Sequence, residues 1–87
     1  MHFLVAMAGK GHAIAQNDLG FCYYHGYGVP QNKTEAARLY RLAADKGYSA
    51  AQNNLGYCYQ NGYGVPQNNT EAARLYRLAA DQGVPAA

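Results

Sequence analysis

Residues 26–32 read GYGVPQN, and residues 62–68 repeat the same seven letters. A glycine can adopt the left-handed conformation that closes a helix, and the residue before a proline is pushed out of helical space. An asparagine is a preferred N-cap for a helix that follows. The stretch therefore predicts a helix end, a turn and a new helix start, and the chain makes this connection twice.

The seven letters belong to a longer internal repeat. Residues 12–47 match residues 48–83 at 27 of 36 positions without a gap. A repeat of this period indicates stacked units, each unable to bury its apolar face alone. We predict an all-α chain, an α/α solenoid of antiparallel helix pairs with about five helices. Residues 1–87 are expected to form a single domain, with a partial repeat at 1–11, whole repeats at 12–47 and 48–83, and the start of a truncated repeat at 84–87.

The first helix of each unit has readable ends. Ser49, followed three residues later by Gln52, has the pattern of a capping box and predicts a helix start near Ala50. Gly26 and Gly62 are predicted to end the first helices in the left-handed conformation. Each unit therefore opens with a helix of about three turns.

The second helix of each unit follows the turn. Asn32 and Asn68 are predicted N-caps, each with a glutamate three positions later. The second helices are expected to continue to Gly47 and Gly83. Each unit is thus predicted to be a helix pair.

Apolar residues at helical spacing predict the core. Glycine costs roughly 1 kcal/mol relative to alanine inside a helix, so Gly20 and Gly56 predict a close helix crossing. The buried set is expected to include Ala15, Leu19, Cys22 and Tyr23 in the first helix, and Ala36, Leu39, Tyr40 and Ala43 in the second, echoed by Leu75 and Tyr76.

These residues resemble a known family. The first unit carries AxxxLGxxYxxGxGV at 15–29 and EAARLYRLAADKG at 35–47. This pattern resembles the Sel-one-like repeat (SLR), a relative of the tetratricopeptide repeat. The resemblance implies a right-handed α/α superhelix that serves as an adaptor, binding other proteins or assembling complexes. Leu42 and Leu78 depart from it, because the family usually has lysine there, and both leucines are predicted to point outward.

Charge and composition exclude several classes of partner. Seven Lys and Arg against five Asp and Glu leave a scattered net charge of +2, which predicts neither nucleic-acid nor membrane binding. The apolar run at 3–8 is too short to span a bilayer or to form a signal-peptide core. Its small-x-small pattern at 6–8 leaves a cleavage site as an open alternative. A cytoplasmic location is expected, with secretion or a host-directed role left open.

The two cysteines are predicted to be free, buried thiols in a reducing compartment. Cys22 and Cys58 are equivalent positions on stacked helices about 8–10 Å apart, whereas a disulfide needs Cα atoms within about 7 Å. Cys22 and His25 could form half a metal site or a thiol with its base, but Asn61 replaces the histidine in the second unit and no other cysteine or histidine cluster completes four ligands. His2 and His12 are interpreted as surface residues. No metal and no cofactor are predicted.

The sequence favours a protein without catalytic activity. Ser49 is the single serine, and Ala-Ala-Gln follows it rather than the lysine that a serine β-lactamase places three residues on. An alternative function comes from the family resemblance, whose cysteine-rich branch includes proteins linked to β-lactam binding or hydrolysis. That branch carries two bridged cysteines per unit, and this chain has one.

The exposed side of the first helices is the predicted binding surface. Side-chain amides can pair with a peptide backbone, and aromatic faces supply apolar contact area. We expect a groove for an extended peptide or a partner loop, with a merely solvated face as the alternative. A ladder of Asn17 and Asn53 is expected beside Phe21 and Tyr57. The predicted partner-binding residues are Asn17, Phe21, Tyr24, Asn53, Tyr57 and Gln60.

The last helix, at 69–82, is predicted to present an apolar face that a further unit would normally cover. Solenoids usually need about three repeats and polar caps at both ends. The sequence therefore predicts that the chain belongs to a longer array, that copies associate end to end or swap helices to form homo-oligomers, or that it is marginally stable.

Overall fold

The computed structural model describes residues 12–82, which form helices joined by turns. The first helix packs on the second, the third on the fourth, and the second on the third. The prediction of an all-α chain of stacked helix pairs is therefore confirmed. The predicted fifth helix would fall within residues 1–11, outside the described range. The helices are α1 (Ala13–His25), α2 (Lys33–Asp45), α3 (Ser49–Asn61) and α4 (Asn69–Asp81).

The two copies of GYGVPQN fold in the same way. Gly26 (φ 76°, ψ 33°) and Gly62 (φ 70°, ψ 34°) are left-handed and close α1 and α3, as predicted. The Asn32 amide then donates to the Tyr23 carbonyl at 2.8 Å, and the Asn68 amide makes the equivalent bond at 2.8 Å. This bond joins the start of each second helix to the last turn of the first helix, and the two helices run antiparallel.

The predicted N-caps of the second helices are confirmed. The Oδ1 of Asn32 accepts a hydrogen bond from the Glu35 amide at 3.0 Å. Asn68 makes the same bond to the Glu71 amide at 3.1 Å. Each cap satisfies one of the amides that a helix start leaves without a partner.

The predicted capping box at the start of α3 is wrong. Tyr48 occupies the N-cap position without a side-chain bond, and Ser49 is already helical. Gln52 is buried instead: its Nε2 donates to the Ala44 carbonyl at 3.3 Å, and its Oε1 accepts from Gln82 at 2.7 Å. Bonds to neighbouring helices take the place of the local cap because this glutamine lies inside the stack.

The second helices end two residues before the predicted glycines, at Asp45 and Asp81. The Lys46 amide bonds to the Ala43 and Ala44 carbonyls, which tightens the last turn. Gly47, at φ 86°, then lies in the connection to α3.

The core lies between the helices of each pair and between α2 and α3. An ideal Cβ on Gly20 would lie 2.9 Å from the Tyr40 ring, and one on Gly56 3.0 Å from the Tyr76 ring, so the predicted close crossing is confirmed. Cys22, Tyr23 and Tyr76 are only partly buried, contrary to the prediction. The predicted core residues that are buried are Ala15, Leu19, Ala36, Leu39, Tyr40, Ala43 and Leu75.

Candidate functional site

An aromatic groove opens between α1 and α3. It encloses about 400 Å³, a volume within the range of about 300–1,000 Å³ that is typical of ligand sites. Phe21 and Tyr57 keep 45% and 49% of their surface exposed, although aromatic side chains usually bury most of theirs. The groove therefore offers a partner two large rings already in place. Its lining residues are Phe21, Tyr24, His25, Tyr40, Asn54 and Tyr57.

The rings around the groove contact one another. Phe21 and His25 have centroids 4.3 Å apart, and His25 stacks on Tyr27 at 5.1 Å with an interplanar angle of 15°. From α1 the contacts continue through Tyr24 to Tyr63 at 6.0 Å, and from Tyr63 to Tyr57 at 5.9 Å. Tilted and edge-on pairs at these distances are favourable. We call these rings the aromatic cluster: Phe21, Tyr24, His25, Tyr27, Tyr57 and Tyr63.

A lysine from α2 supports this cluster. The Lys33 ammonium lies 4.0 Å from the Tyr63 centroid and 5.2 Å from that of Tyr24. Both distances are within the range of a cation–π interaction. The backbone of Lys33 is also close to Gly64, where a Cβ would collide with the Lys33 carbonyl. The turn after α3 is thus held tightly against the start of α2.

The hydroxyls of Tyr24 and Tyr40 stay protonated at neutral pH. Burial, followed by the neighbouring Tyr57 and Tyr63, raises the pKa of Tyr24 above its ordinary value. Burial also raises the pKa of Tyr40. Because a protonated phenol donates a hydrogen bond, the groove presents donors among its apolar ring faces.

The predicted binding residues divide into two groups. Phe21, Tyr24 and Tyr57 line the groove together. Asn17 is buried, and its Oδ1 accepts from Asn54 at 2.9 Å. The amide that contacts Asn17 is therefore the neighbour of Asn53, the residue expected in the ladder.

Asn53 and Gln60, like Asn17, lie outside the groove lining. Asn53 is half-buried, and its buried Oδ1 has no hydrogen-bond partner within residues 12–82. Gln60 is exposed and accepts a hydrogen bond from the Tyr76 hydroxyl at 2.8 Å. Their predicted roles in binding a partner remain predictions.

Three lining residues were not among the predicted set: His25, Tyr40 and Asn54. Tyr40 was assigned to the core, where it is indeed buried, but its ring also reaches the groove. His25 lies one helical turn after Phe21, a spacing that could have placed it on the same face. No sequence pattern pointed to Asn54, because the expected ladder selected its neighbour, Asn53.

The two repeats differ in sequence at most of the positions that line the groove. Nine of 36 aligned positions differ between residues 12–47 and 48–83, which is a quarter of the unit. Of the six lining residues, only Tyr40 occupies a position that the repeats share. The groove positions thus change more often than the rest of the unit, where five further positions differ. The differing pairs at the groove are Asp18/Asn54, Phe21/Tyr57, Tyr24/Gln60 and His25/Asn61.

The cysteines of residues 12–82 are both free thiols, as predicted. Burial raises the pKa of Cys58 to about 11, against a smaller lowering effect of Lys33. A thiol with this pKa is protonated at neutral pH and is a poor nucleophile. Across the same residues, no group of three or more His, Cys, Asp or Glu side chains could hold a metal ion. None of the four helices described is both long and apolar enough to cross a bilayer.

Comparison with known proteins agrees with this architecture. A protective antigen of uropathogenic Escherichia coli strains that displays an SLR fold is 40% identical, with a TM-score of 0.96, over 99% of this chain and 18% of that one. A Sel1 repeat protein from Oxalobacter formigenes is 38% identical, with a TM-score of 0.93, over 94% of this chain and 63% of that one. The chain thus spans less than two thirds of either protein. No curated protein matches it.

The family assignment follows from the sequence as well as from the fold. The Sel1 repeat matches the chain twice, at residues 13–48 and 49–84. Each match covers one first helix, one GYGVPQN turn and one second helix. The chain therefore belongs to the Sel1 repeat family.

Proposed function

We propose that this protein is a non-catalytic interaction scaffold and that the groove between α1 and α3 holds a peptide or a segment of a partner protein. Sel1 repeat proteins are generally protein-interaction scaffolds, and the fold is typically non-catalytic. The observation that carries the proposal for this chain is the difference between its repeats. Five of six lining residues stand at positions where the two units differ.

The chemistry of the groove supports this role. Interface cores are enriched in aromatic residues and depleted in charged ones, and no carboxylate is among the lining residues. Phe21 and Tyr57 are the exposed rings, which makes them the natural anchors for a partner. Contacts within the aromatic cluster hold these rings in place, so binding loses little side-chain entropy.

A peptide-display selection on the intact protein tests the proposal. Peptides enriched from an unrestricted library would be synthesised, and their dissociation constants measured by calorimetry. We expect Phe21→Ala combined with Tyr57→Ala to weaken binding by about tenfold or more, since interface anchors typically contribute at this level. Both rings are half-exposed, so the variant should keep its helical circular dichroism spectrum.

Leu42 and Leu78 provide the matched control. They are exposed to 37% and 39%, as predicted, and lie on the second helices. Their double alanine variant removes a comparable exposed apolar area from another wall of the molecule. If this variant lost binding while the Phe21/Tyr57 variant kept it, the binding surface would be the one that carries Leu42 and Leu78, and the proposed site would be wrong.

A further inference from the structure

We propose, on the basis of the groove function above, that its occupant is an uncharged proline-rich segment in the polyproline II conformation. The aromatic cluster supplies faces on which proline rings can pack. Aromatic-lined grooves are a recurring solution for this type of ligand, because the polyproline II helix is already ordered before binding. The partner class then follows from how well each recognition mode fits the groove.

Strand addition does not fit. That mode extends an exposed sheet edge through main-chain hydrogen bonds. Residues 12–82 form helices and turns, so the groove walls present side chains and no strand edge. A partner must be recognised through those side chains.

A docked helix fits poorly. An amphipathic helix brings aliphatic anchors and keeps its backbone hydrogen bonds to itself. Tyr24, Tyr57 and Asn54 line the groove, and their side chains carry hydroxyl and amide groups. A helix would cover these polar groups without offering its backbone to them, which is unfavourable.

A polyproline II segment matches those polar groups. Its backbone makes no internal hydrogen bonds, so its carbonyls are free to accept. Burial raises the pKa of Tyr24, which keeps that hydroxyl a donor at neutral pH. The groove therefore combines ring faces for proline side chains with a tyrosine hydroxyl that can donate to the carbonyls between them.

The charges around the groove select against a basic ligand. The Lys33 ammonium already lies on the faces of Tyr24 and Tyr63. A second cation near the same rings would be repelled by it and would find no carboxylate among the lining residues. We therefore expect arginine-flanked proline segments to bind more weakly than uncharged ones.

The test uses a capped oligoproline of about nine residues, roughly 28 Å long in the polyproline II conformation. It is titrated into the full chain, and amide shifts are followed by ¹H–¹⁵N NMR. We expect saturable shifts at Phe21, Tyr24 and Tyr57, and about tenfold weaker binding in the Phe21→Ala/Tyr57→Ala variant. Tyr57→Phe, which keeps the ring and removes one donor, should lose less.

Comparison peptides and a control variant make the outcome decisive. An alanine-based helical peptide and an arginine-flanked oligoproline should both bind about threefold or more weakly than the capped peptide. Leu42→Ala/Leu78→Ala should bind like the parent. Equal or tighter binding of the helical peptide, or shifts outside the groove, would refute the proline proposal.

The same titration separates this inference from the function beneath it. If oligoproline fails while peptides from the unrestricted selection bind through Phe21 and Tyr57, the groove is a binding site and the polyproline proposal is wrong. If neither peptide class depends on these two rings, both the polyproline proposal and the proposed function are wrong.

Discussion

Helices α2 and α4 differ only in their first residue, yet they are buried differently. Residues 34–45 and 70–81 have the same sequence. Ala37, Tyr40 and Ala44 are buried in α2, where α3 packs on them. In α4, the equivalents Ala73 and Ala80 are exposed and Tyr76 is half-buried. The same sequence therefore gives a covered face in one repeat and an open face in the other, and the neighbouring helix makes the difference.

Other positions of the same two helices are buried equally. Leu39 and Leu75 are each 3% exposed, and Ala43 and Ala79 are fully buried. These residues face the first helix of their own unit, which both repeats possess. Each second helix thus has one apolar stripe for its own partner and another for the next unit, and the tyrosine touches both, because the Tyr40 ring also packs on Gly20 of its own unit. Substitutions on the two stripes should behave differently, which makes the comparison testable.

A charge placed on the stripe that the next unit covers should give the largest difference in stability between the two repeats. Ala37→Glu would bury an unpaired carboxylate under α3 and should cost about 3–5 kcal/mol, enough to unfold much of the protein. Ala73→Glu puts the same residue on the open face and should change stability by less than about 0.5 kcal/mol. The helix position is equivalent in the two variants, so intrinsic helix propensity cancels. Urea denaturation followed by circular dichroism measures both.

The Ala73→Glu variant also tests the prediction that copies of the chain associate. If copies stack through the α4 face, the glutamate should dissociate them, and analytical ultracentrifugation across a dilution series would show a lower mass than the parent. A parent that is monomeric at every concentration would contradict the predicted association. A destabilisation as large as that of Ala37→Glu would mean that the α4 face is covered in solution.

Replacing the tyrosines by alanine should give a smaller difference in stability between the repeats, again with the larger loss in α2. Tyr40→Ala removes a buried ring and should cost about 3–5 kcal/mol. Tyr76→Ala removes a half-buried ring with one hydroxyl bond and should cost about 1–2 kcal/mol. Leu39→Ala and Leu75→Ala are the controls, because both leucines are equally buried and should lose similar stability. Unequal leucine variants would show that the two helix pairs are not equivalent units.

The turns and the helix pairs could be predicted from local signals. Gly26 and Gly62 donate to a carbonyl four residues back, and the side chains of Asn32 and Asn68 accept from an amide three residues on, so these bonds lie within one turn of a helix. Gln52 could not be read in this way. Its spacing from Ser49 resembles a capping box, but its bonds go to residues eight and thirty positions away, Ala44 in α2 and Gln82 at the end of α4.

The candidate site was predictable only in part for the same reason. Phe21, Tyr24 and Tyr57 follow from helical spacing and share the groove. The partner of Asn17 depends instead on how α1 and α3 are placed relative to each other, and the structure selects Asn54 rather than the repeat-equivalent Asn53. Positions within one helix follow from its period, whereas contacts between units require the stacking geometry.

Removing the N-cap should cost the same stability in both repeats, whether or not another unit packs on the helix. Asn32→Ala and Asn68→Ala each remove one bond to a helix-start amide and should each cost about 1 kcal/mol. Because the two bonds are nearly equal in length, the losses should agree within about 0.3 kcal/mol. Urea midpoints of the two single variants provide the measurement. A markedly larger loss at Asn32 would mean that packing of the second unit on the start of α2 adds to the cap.

The smallest expected effect is a pH dependence of the free energy of unfolding, and both repeats should contribute to it equally. Hydrogen bonds from Arg38 and Arg74 lower the pKa of Glu35 and Glu71, with both pairs at 2.6 Å. A carboxyl whose pKa is lower in the folded state stabilises the protein above its unfolded pKa of about 4.3, and this contribution disappears as the pH falls through the folded value. Both pairs are solvent-exposed, so each should contribute only about 0.3–0.5 kcal/mol.

Arg38→Gln and Arg74→Gln test this pH dependence and close the comparison between the repeats. Each variant should be slightly less stable than the parent at pH 7, by the same amount. The difference should shrink as the pH falls through the lowered pKa values of the two carboxyls, and it should vanish once both are protonated in the folded state. Urea midpoints measured at several pH values between these limits give the result. A deficit that persists in acid would mean that the arginine stems stabilise the helices by packing, and unequal deficits at pH 7 would show that the open face of α4 changes even its exposed ion pair.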